Sequence, residues 1–168
     1  YTEMMAEIDN QNPEWTSVVI FADKEEVGSD GNTGMHSRFL EYFLADLAEP
    51  FGVPVRRVLS NSKCLSADVN AAYDPTFADV FEENNVARLN KGVVVTKYTG
   101  ARGKSGTSDA SAETMALFAD ILDRHGVVWQ TGELGKVDQG GGGTVALDIS
   151  RMNADVIDVG VPVLSMHS

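Results

Sequence analysis

Apolar positions along this chain fall into two rhythms, short unbroken runs and helical spacing. Met4, Met5 and Ile8 recur at helical spacing, which predicts a helix over residues 1–10 that Asn12-Pro13 breaks. Ser17-Val18-Val19-Ile20-Phe21 is β-branched and apolar without alternation, the pattern of a strand buried on both faces. Residues 28–34, rich in glycine, form a loop, and Phe39, Leu40, Phe43, Leu44 and Leu47 predict one apolar helix face over 37–48. An extended stretch at Val58-Leu59-Ser60 leads into residues 65–69, and Val93-Val94-Val95 lies at the heart of a strand over 92–96. Ser108 is placed to cap a helix over about 109–125, with Met115, Phe118, Ile121 and Leu122 inward and Gly126 ending it. Residues 127–131 read as a strand, 145–152 as a short helix and 161–164 as a final short strand.

Strands alternating with helices, several strands apolar throughout, predict a three-layer α/β domain with a mixed, largely parallel central sheet. No internal repeat or low-complexity linker interrupts residues 1–168, so one domain is expected. Polar residues gather where the predicted strands end, at Glu25, Asp68, Lys97 and His167. In open α/β sheets that rim is where sites are built.

Charge narrows the functions open to such a domain. With 25 acidic and 13 basic residues the formal net charge is −12, against the clustered Lys and Arg that nucleic-acid binding needs. A hydrophobic fraction of 43% and a mean hydropathy of −0.13 are those of an ordinary globular chain. No apolar run reaches the roughly 20 residues that span a bilayer, so no membrane partner is expected. Cys64 is the only cysteine, which excludes an internal disulfide and points to a reducing, cytoplasmic compartment. A small buried hydrophobe is its expected role.

The candidate chemistry starts at Glu25-Glu26, between the apolar run and Gly28. One carboxylate of such a pair can hold a divalent cation while its neighbour acts as general base. Glu26, Asp68 and His167 form a ligand set suited to zinc, with cobalt or manganese as substitutes. Each has a plainer reading: acidic pairs are common on solvated surfaces, Asp68 suits a turn, and His167 suits an exposed surface. His36 and His125 lie at a loop and at a helix end, where no ligand role is called for. Glycines 140–143, followed by Thr144 and preceded by Asp138, match neither phosphate-loop nor dinucleotide fingerprints. Backbone N–H groups there could cradle a substrate, or the run could be a plain connection.

Four blocks then carry a resemblance: Phe21-Ala-Asp-Lys-Glu25-Glu26-Val-Gly-Ser29, Ser66-Ala-Asp68-Val, Gly140-Gly-Gly-Gly-Thr144-Val-Ala, and Asp158-Val-Gly-Val-Pro-Val-Leu-Ser-Met-His167-Ser. In this order, over nearly the whole chain, they resemble the M18 metalloaminopeptidases, the aspartyl aminopeptidase and aminopeptidase I group. The resemblance implies a zinc-peptidase-like domain with two zinc ions at the complete site, and a peptide substrate whose N-terminal residue is released. It implies Glu25 as the base, Glu26 and His167 on one metal and Asp68 on the other. It further implies a histidine and a bridging aspartate upstream of the Glu-Glu motif. Because the chain begins at Tyr1 and ends at His167-Ser168, the expectation is a portion of a longer catalytic domain, inactive alone.

Lys97, Arg102, Gly142, Gly143 and Thr144 are the expected substrate contacts. Two departures from the family pattern weigh against strict selectivity for an acidic N-terminal residue. Asp68-Val69-Asn70-Ala71-Ala72 lacks the histidine that follows the ligand aspartate in eukaryotic relatives, and Arg102-Gly103 stands where they carry Arg-Tyr. Family members also form large homo-oligomers. A related di-zinc carboxypeptidase or deacylase and a non-catalytic, metal-stabilised assembly module remain the alternatives.

Overall fold

Four strands form the central sheet: β1 (Lys63–Ala71), β2 (Val93–Thr96), β5 (Trp129–Thr131) and β6 (Asp155–Val163), in spatial order β1-β6-β2-β5. β6 runs parallel to β1 along its whole length, from Lys63 opposite Asp155 to Ala71 opposite Val163. On its other side it meets β2 antiparallel, and β2 pairs parallel with β5. A two-stranded ribbon of β3 (Tyr98–Thr99) and β4 (Ser108–Asp109) stands apart. The computed structural model describes residues 1–99, 106, 108–136, 139 and 141–167.

Successive side chains of a strand point to opposite faces, and β6 uses both. Val156 packs with Met35, Ala146 and Ile149, flanked by Cys64, Leu40 and Met152. Ile157, its neighbour, packs instead with Val95 and Ala110, flanked by Met115, Phe118, Leu122 and Val159. The first cluster belongs to helix α5 (Ala146–Arg151) and the second to α4 (Ala112–Arg124), so the two helices cover opposite faces of one sheet. That is the three-layer arrangement, with a mixed and mostly parallel sheet.

Local chemistry sets the helix ends. Ser111 caps α4, its hydroxyl accepting from the Thr114 N–H at 3.1 Å. The cap expected at Ser108 fails because that residue is a buried member of β4. Three further helices precede the sheet: α1 (Thr2–Asp9), α2 (Phe39–Ala48) and α3 (Val55–Ser60). α3 replaces the extended stretch expected at residues 58–60. Pro54 lies at its N-cap, and the side chains of Asn61 and Ser62 donate back to the Arg57 and Val58 carbonyls at 2.7 Å each. On α2, Leu40 and Leu44 are half-buried while Phe39, Phe43 and Leu47 stay exposed.

The strand expected at residues 17–21 does not form. Those residues carry no regular secondary structure, and Val18, Ile20 and Phe21 are exposed. They border a groove of about 850 Å³ whose other lining includes Lys63 to Asp68 of β1. A β-ladder needs neighbours about 4.8 Å apart, whereas this segment and β1 line one groove between them. The final strand is longer than expected, beginning at Asp155 rather than 161.

His36 ties the loop after the Glu-Glu pair to α5. Its Nδ1 lies 2.8 Å from Asp30 and its Nε2 3.2 Å from Asp148, a buried residue that also meets Arg151 at 3.5 Å. The hydrogen bond to Asp30, then the charge of Asp148, hold the imidazole above its ordinary pKa; partial burial and Arg151 oppose them.

Two outcomes follow from this packing. Ile157, 1% exposed, fills the α4 side of the sheet, so Ile157→Ala should cost about 2–5 kcal/mol in urea unfolding. Because His36 titrates higher when folded, its contribution is complete below its unfolded pKa near 6.5. It is lost as pH rises through the higher folded value. The unfolding midpoint of the native chain should therefore fall relative to His36→Gln between pH 6 and 8.5, and a constant difference would count against the clamp.

Candidate metal centre

Glu25 and Glu26 open a short 3-10 turn, Glu25–Val27, set between left-handed residues. Lys24 (φ 62°) precedes it, while Gly28 (φ 95°) and Ser29 (φ 61°) follow. Three backbone bonds hold the turn: Val27 N–H to the Lys24 carbonyl at 3.2 Å, Gly28 to Glu25 at 3.1 Å and Ser29 to Lys24 at 2.8 Å. Non-glycine residues in this region cost energy and persist where their surroundings enforce them. Here the Ser29 carbonyl is gripped by the His36 N–H at 3.1 Å. Gly34 lies so close that a Cβ there would stand 2.1 Å from the same oxygen. The loop thus presents both glutamates from a braced backbone.

Asp68 reaches the same place from β1. Its Oδ1 accepts from the Val69 N–H at 2.7 Å, which orients an otherwise exposed carboxylate. His167 follows the end of β6, and its Nε2 lies 3.8 Å from Oε2 of Glu26. Glu25, Glu26, Ser66 and Asp68 line one groove. The four expected residues therefore meet at one rim of the sheet.

Their mutual influence shows in the acidity of Glu25. Partial burial lifts its pKa above the ordinary carboxylate range, the charges of Glu26 and Asp68 lift it further, and His167 draws it back. Among the described residues no three His, Cys, Asp or Glu side chains close into a complete metal cage. The Glu26–His167 pair nevertheless suits one zinc: tetrahedral ligands 2.0–2.2 Å from the ion are about 3.4 Å apart, near the 3.8 Å seen here. Asp68 is a single carboxylate beside that pair.

Beneath the rim lies a polar layer that the sequence reading missed. Asp158, on the α5 face of β6, is buried, and its Oδ1 accepts from the Thr144 hydroxyl at 2.9 Å. Burial raises its pKa; the hydroxyls of Ser66, Thr144 and Ser108 oppose that rise, while the charge of Asp68 adds to it. Ser66 and Thr96 stand directly opposite Asp158 on β1 and β2. Asn70 donates through Nδ2 to Thr96 Oγ1 at 2.8 Å. The available signal was a charged residue inside the apolar run Val156-Ile157-Asp158-Val159. Cys64, next along this face, behaves as the expected hydrophobe; burial, then Asp158, pushes its thiol pKa up to about 11.

The expected substrate contacts are dispersed. Lys97 forms an ion pair with Asp109 of β4. Thr144 turns inward to Asp158 and also receives the Ala146 N–H at 3.3 Å, starting α5. Gly142 packs against Leu134, where a Cβ would stand 2.8 Å from a leucine methyl, and Gly143 faces open space. Arg102, Asp138 and Gly140 lie outside the described residues.

Comparison with known proteins gives the same picture from another direction. The family model described as aminopeptidase I zinc metalloprotease (M18) matches residues 1–168. A probable M18 family aminopeptidase 1 of Clostridium acetobutylicum is 48% identical over 172 residues, covering 100% of this chain and 37% of its own length. The Thermotoga maritima protein of the same description is 46% identical, with 100% of this chain and 38% of its length covered. The crystal structure of an M18 family aminopeptidase from Thermotoga maritima superposes with a TM-score of 0.81 at 46% identity, over 88% of this chain and 34% of that one. The structure of the Saccharomyces cerevisiae mApe1 dodecamer superposes with a TM-score of 0.68 at 29% identity, over 88% and 32%. The chain thus spans little more than a third of the curated relatives it matches. With the family model matched from end to end and the four motif residues gathered at one sheet rim, this chain belongs to the M18 family of zinc metallopeptidases.

Proposed function

We propose that this chain carries the catalytic base and three metal ligands of a zinc-dependent aminopeptidase that releases N-terminal residues from peptides. The observation that carries this reading is Glu25 in a groove with Glu26 and Asp68, under the opposing charge of His167. The relatives named as aminopeptidases support the reaction class, and the description of the family as a zinc metalloprotease supports the metal.

Glu26 and His167 would hold one zinc and Asp68 a second. Zinc, when bound, supplies Lewis acidity to the scissile carbonyl and to water. Glu25 stays unligated, with its proton affinity raised by burial and by two neighbouring carboxylates. It takes a proton from the attacking water onto its carboxylate, then gives it to the departing amine. Gly142, Gly143 and Thr144 lead into Val145, which lines the groove, and their backbone is the candidate substrate-side contact. Lys97 and Arg102 are the cationic candidates for a peptide's acidic groups, Lys97 by exchanging its partner Asp109.

The assembly read for the whole protein is a homo-oligomer in the cytoplasm; the dodecamer of the yeast relative supports the assembly. Among the described residues no helix is long and apolar enough to cross a membrane.

In the full-length protein, Glu25→Gln should lower kcat by about 10²–10⁴-fold. Zinc content by elemental analysis and assembly by light scattering should be unchanged. Retained turnover would favour the assembly-module alternative. The 168-residue polypeptide on its own should bind zinc weakly in calorimetry and hydrolyse aminoacyl substrates poorly. Two ions without a shared bridging carboxylate repel by about 4 kcal/mol per unit charge pair at 4 Å and an effective dielectric of 20. Two tight zinc ions per isolated chain would refute this.

A further inference from the structure

Three buried polar atoms in the layer beneath Asp68 lack a partner in hydrogen-bonding geometry among the described residues: Ser66 Oγ, Asn70 Oδ1 and Asp158 Oδ2. The Ser66 hydroxyl is near enough to favour the Asp158 carboxylate without closing a well-formed bond to it. Their residues are only 4%, 4% and 6% exposed. Orphaned groups at such depth are costly. All three residues line one small chamber of about 10 Å³, together with Asp68, Thr96, Thr99, Thr144 and Gly160. That volume is about one water sphere.

The other atoms of the same groups are already engaged. Asp158 Oδ1 takes the Thr144 hydroxyl, and Asn70 Nδ2 is spent on Thr96. Gly160 keeps the space open, since a Cβ there would press within 3.0 Å of the Asn70 Cβ. What remains is two acceptors and one hydroxyl, which are the complement of a single water. A hard cation takes six or more oxygen ligands, and the three orphans fall short of that shell.

We propose that this chamber is a built single-water site. The water donates to Asp158 Oδ2 and Asn70 Oδ1 and accepts from the Ser66 hydroxyl. Ser66 and Asn70 flank Asp68 on its own face of β1, so the water clamps both sides of that carboxylate to β6 and β2. Ser66, Asn70 and Asp158 are then positioning residues for Asp68, a role that rests on reading Asp68 as a metal ligand.

The test is a high-resolution crystal structure of the full-length protein grown in rubidium chloride. The expected result is one peak without anomalous signal, 2.7–3.2 Å from the three atoms. An empty chamber, or an anomalous rubidium peak, would overturn the water site. The positioning role is tested by zinc calorimetry on Ser66→Ala, with Ile157→Val as a packing control on the opposite, α4 face of β6. Ser66→Ala should weaken zinc binding at least about tenfold, while Ile157→Val lowers the thermal midpoint and leaves zinc affinity alone. Lost stability with unchanged zinc affinity in Ser66→Ala would end the positioning claim. Failure of the unmutated protein to bind zinc would instead refute the ligand role of Asp68, and the electron density would still decide the chamber.

Discussion

β6 is the strand that every other part of the molecule answers to. It lies between β1 and β2, and its alternation sends Val156 and Asp158 to the α5 face while Ile157 and Val159 go to the α4 face. Apolar packing on both sides fixes its register, because a slip by one residue would exchange Ile157 with Asp158. A carboxylate in that position must be met by polar groups, since an unpaired buried charge is among the most costly features a fold can carry. Thr144 meets it from the start of α5, Ser66 faces it from β1 and Thr96 from β2. The parallel ladder with β1 then carries this constraint two residues on to Asp68, opposite Gly160.

How much of this was legible depended on whether a local rule and the tertiary environment agreed. The strand at residues 92–96 and the helices near 112–124 and 146–151 were readable because apolar period and burial coincide there. Residues 17–21 misled for the opposite reason. An unbroken apolar run implies two covering layers, yet among the described residues this segment faces a groove. The length of β6 was hidden by Asp155, Asp158 and Gly160, which interrupt the apolar run. Asp158 is tolerated only through hydroxyls distant in sequence, and Gly160 because Asn70 packs against its bare backbone. α3 was lost to a local competition: side-chain bonds from Asn61 and Ser62 close a helical turn that propensity does not announce.

The site divides in the same way. Glu25, Glu26, Asp68 and His167 could be anticipated together because four motif blocks occur in one order along the chain. Of the four only His167 follows a strand, Asp68 lying within β1 and the glutamates on a loop whose expected strand does not form. His36 and Thr144 could not be placed, since their partners Asp148 and Asp158 are known only once α5 docks. Thr144 illustrates the distinction well. Its position after four glycines suggested a surface that greets substrate, whereas its hydroxyl faces inward and joins the glycine segment to the buried layer.

Electrostatics supplies the last step. Glu25, Glu26 and Asp68 share one groove, with His167 opposing their charge at Glu25, and the proton affinity of Glu25 registers the crowding. Such a cluster works against folding, since like charges at close range repel even under solvent screening. The chain bears this because the stabilising elements lie elsewhere: two apolar cores on either face of β6, and a loop braced by backbone bonds and by His36. Those elements are uncharged or locally paired, so they keep their geometry whether or not cations neutralise the rim. A rim held in shape by forces independent of its own charge is what a preorganised metal centre requires, because the ligands need not be gathered at the moment of binding.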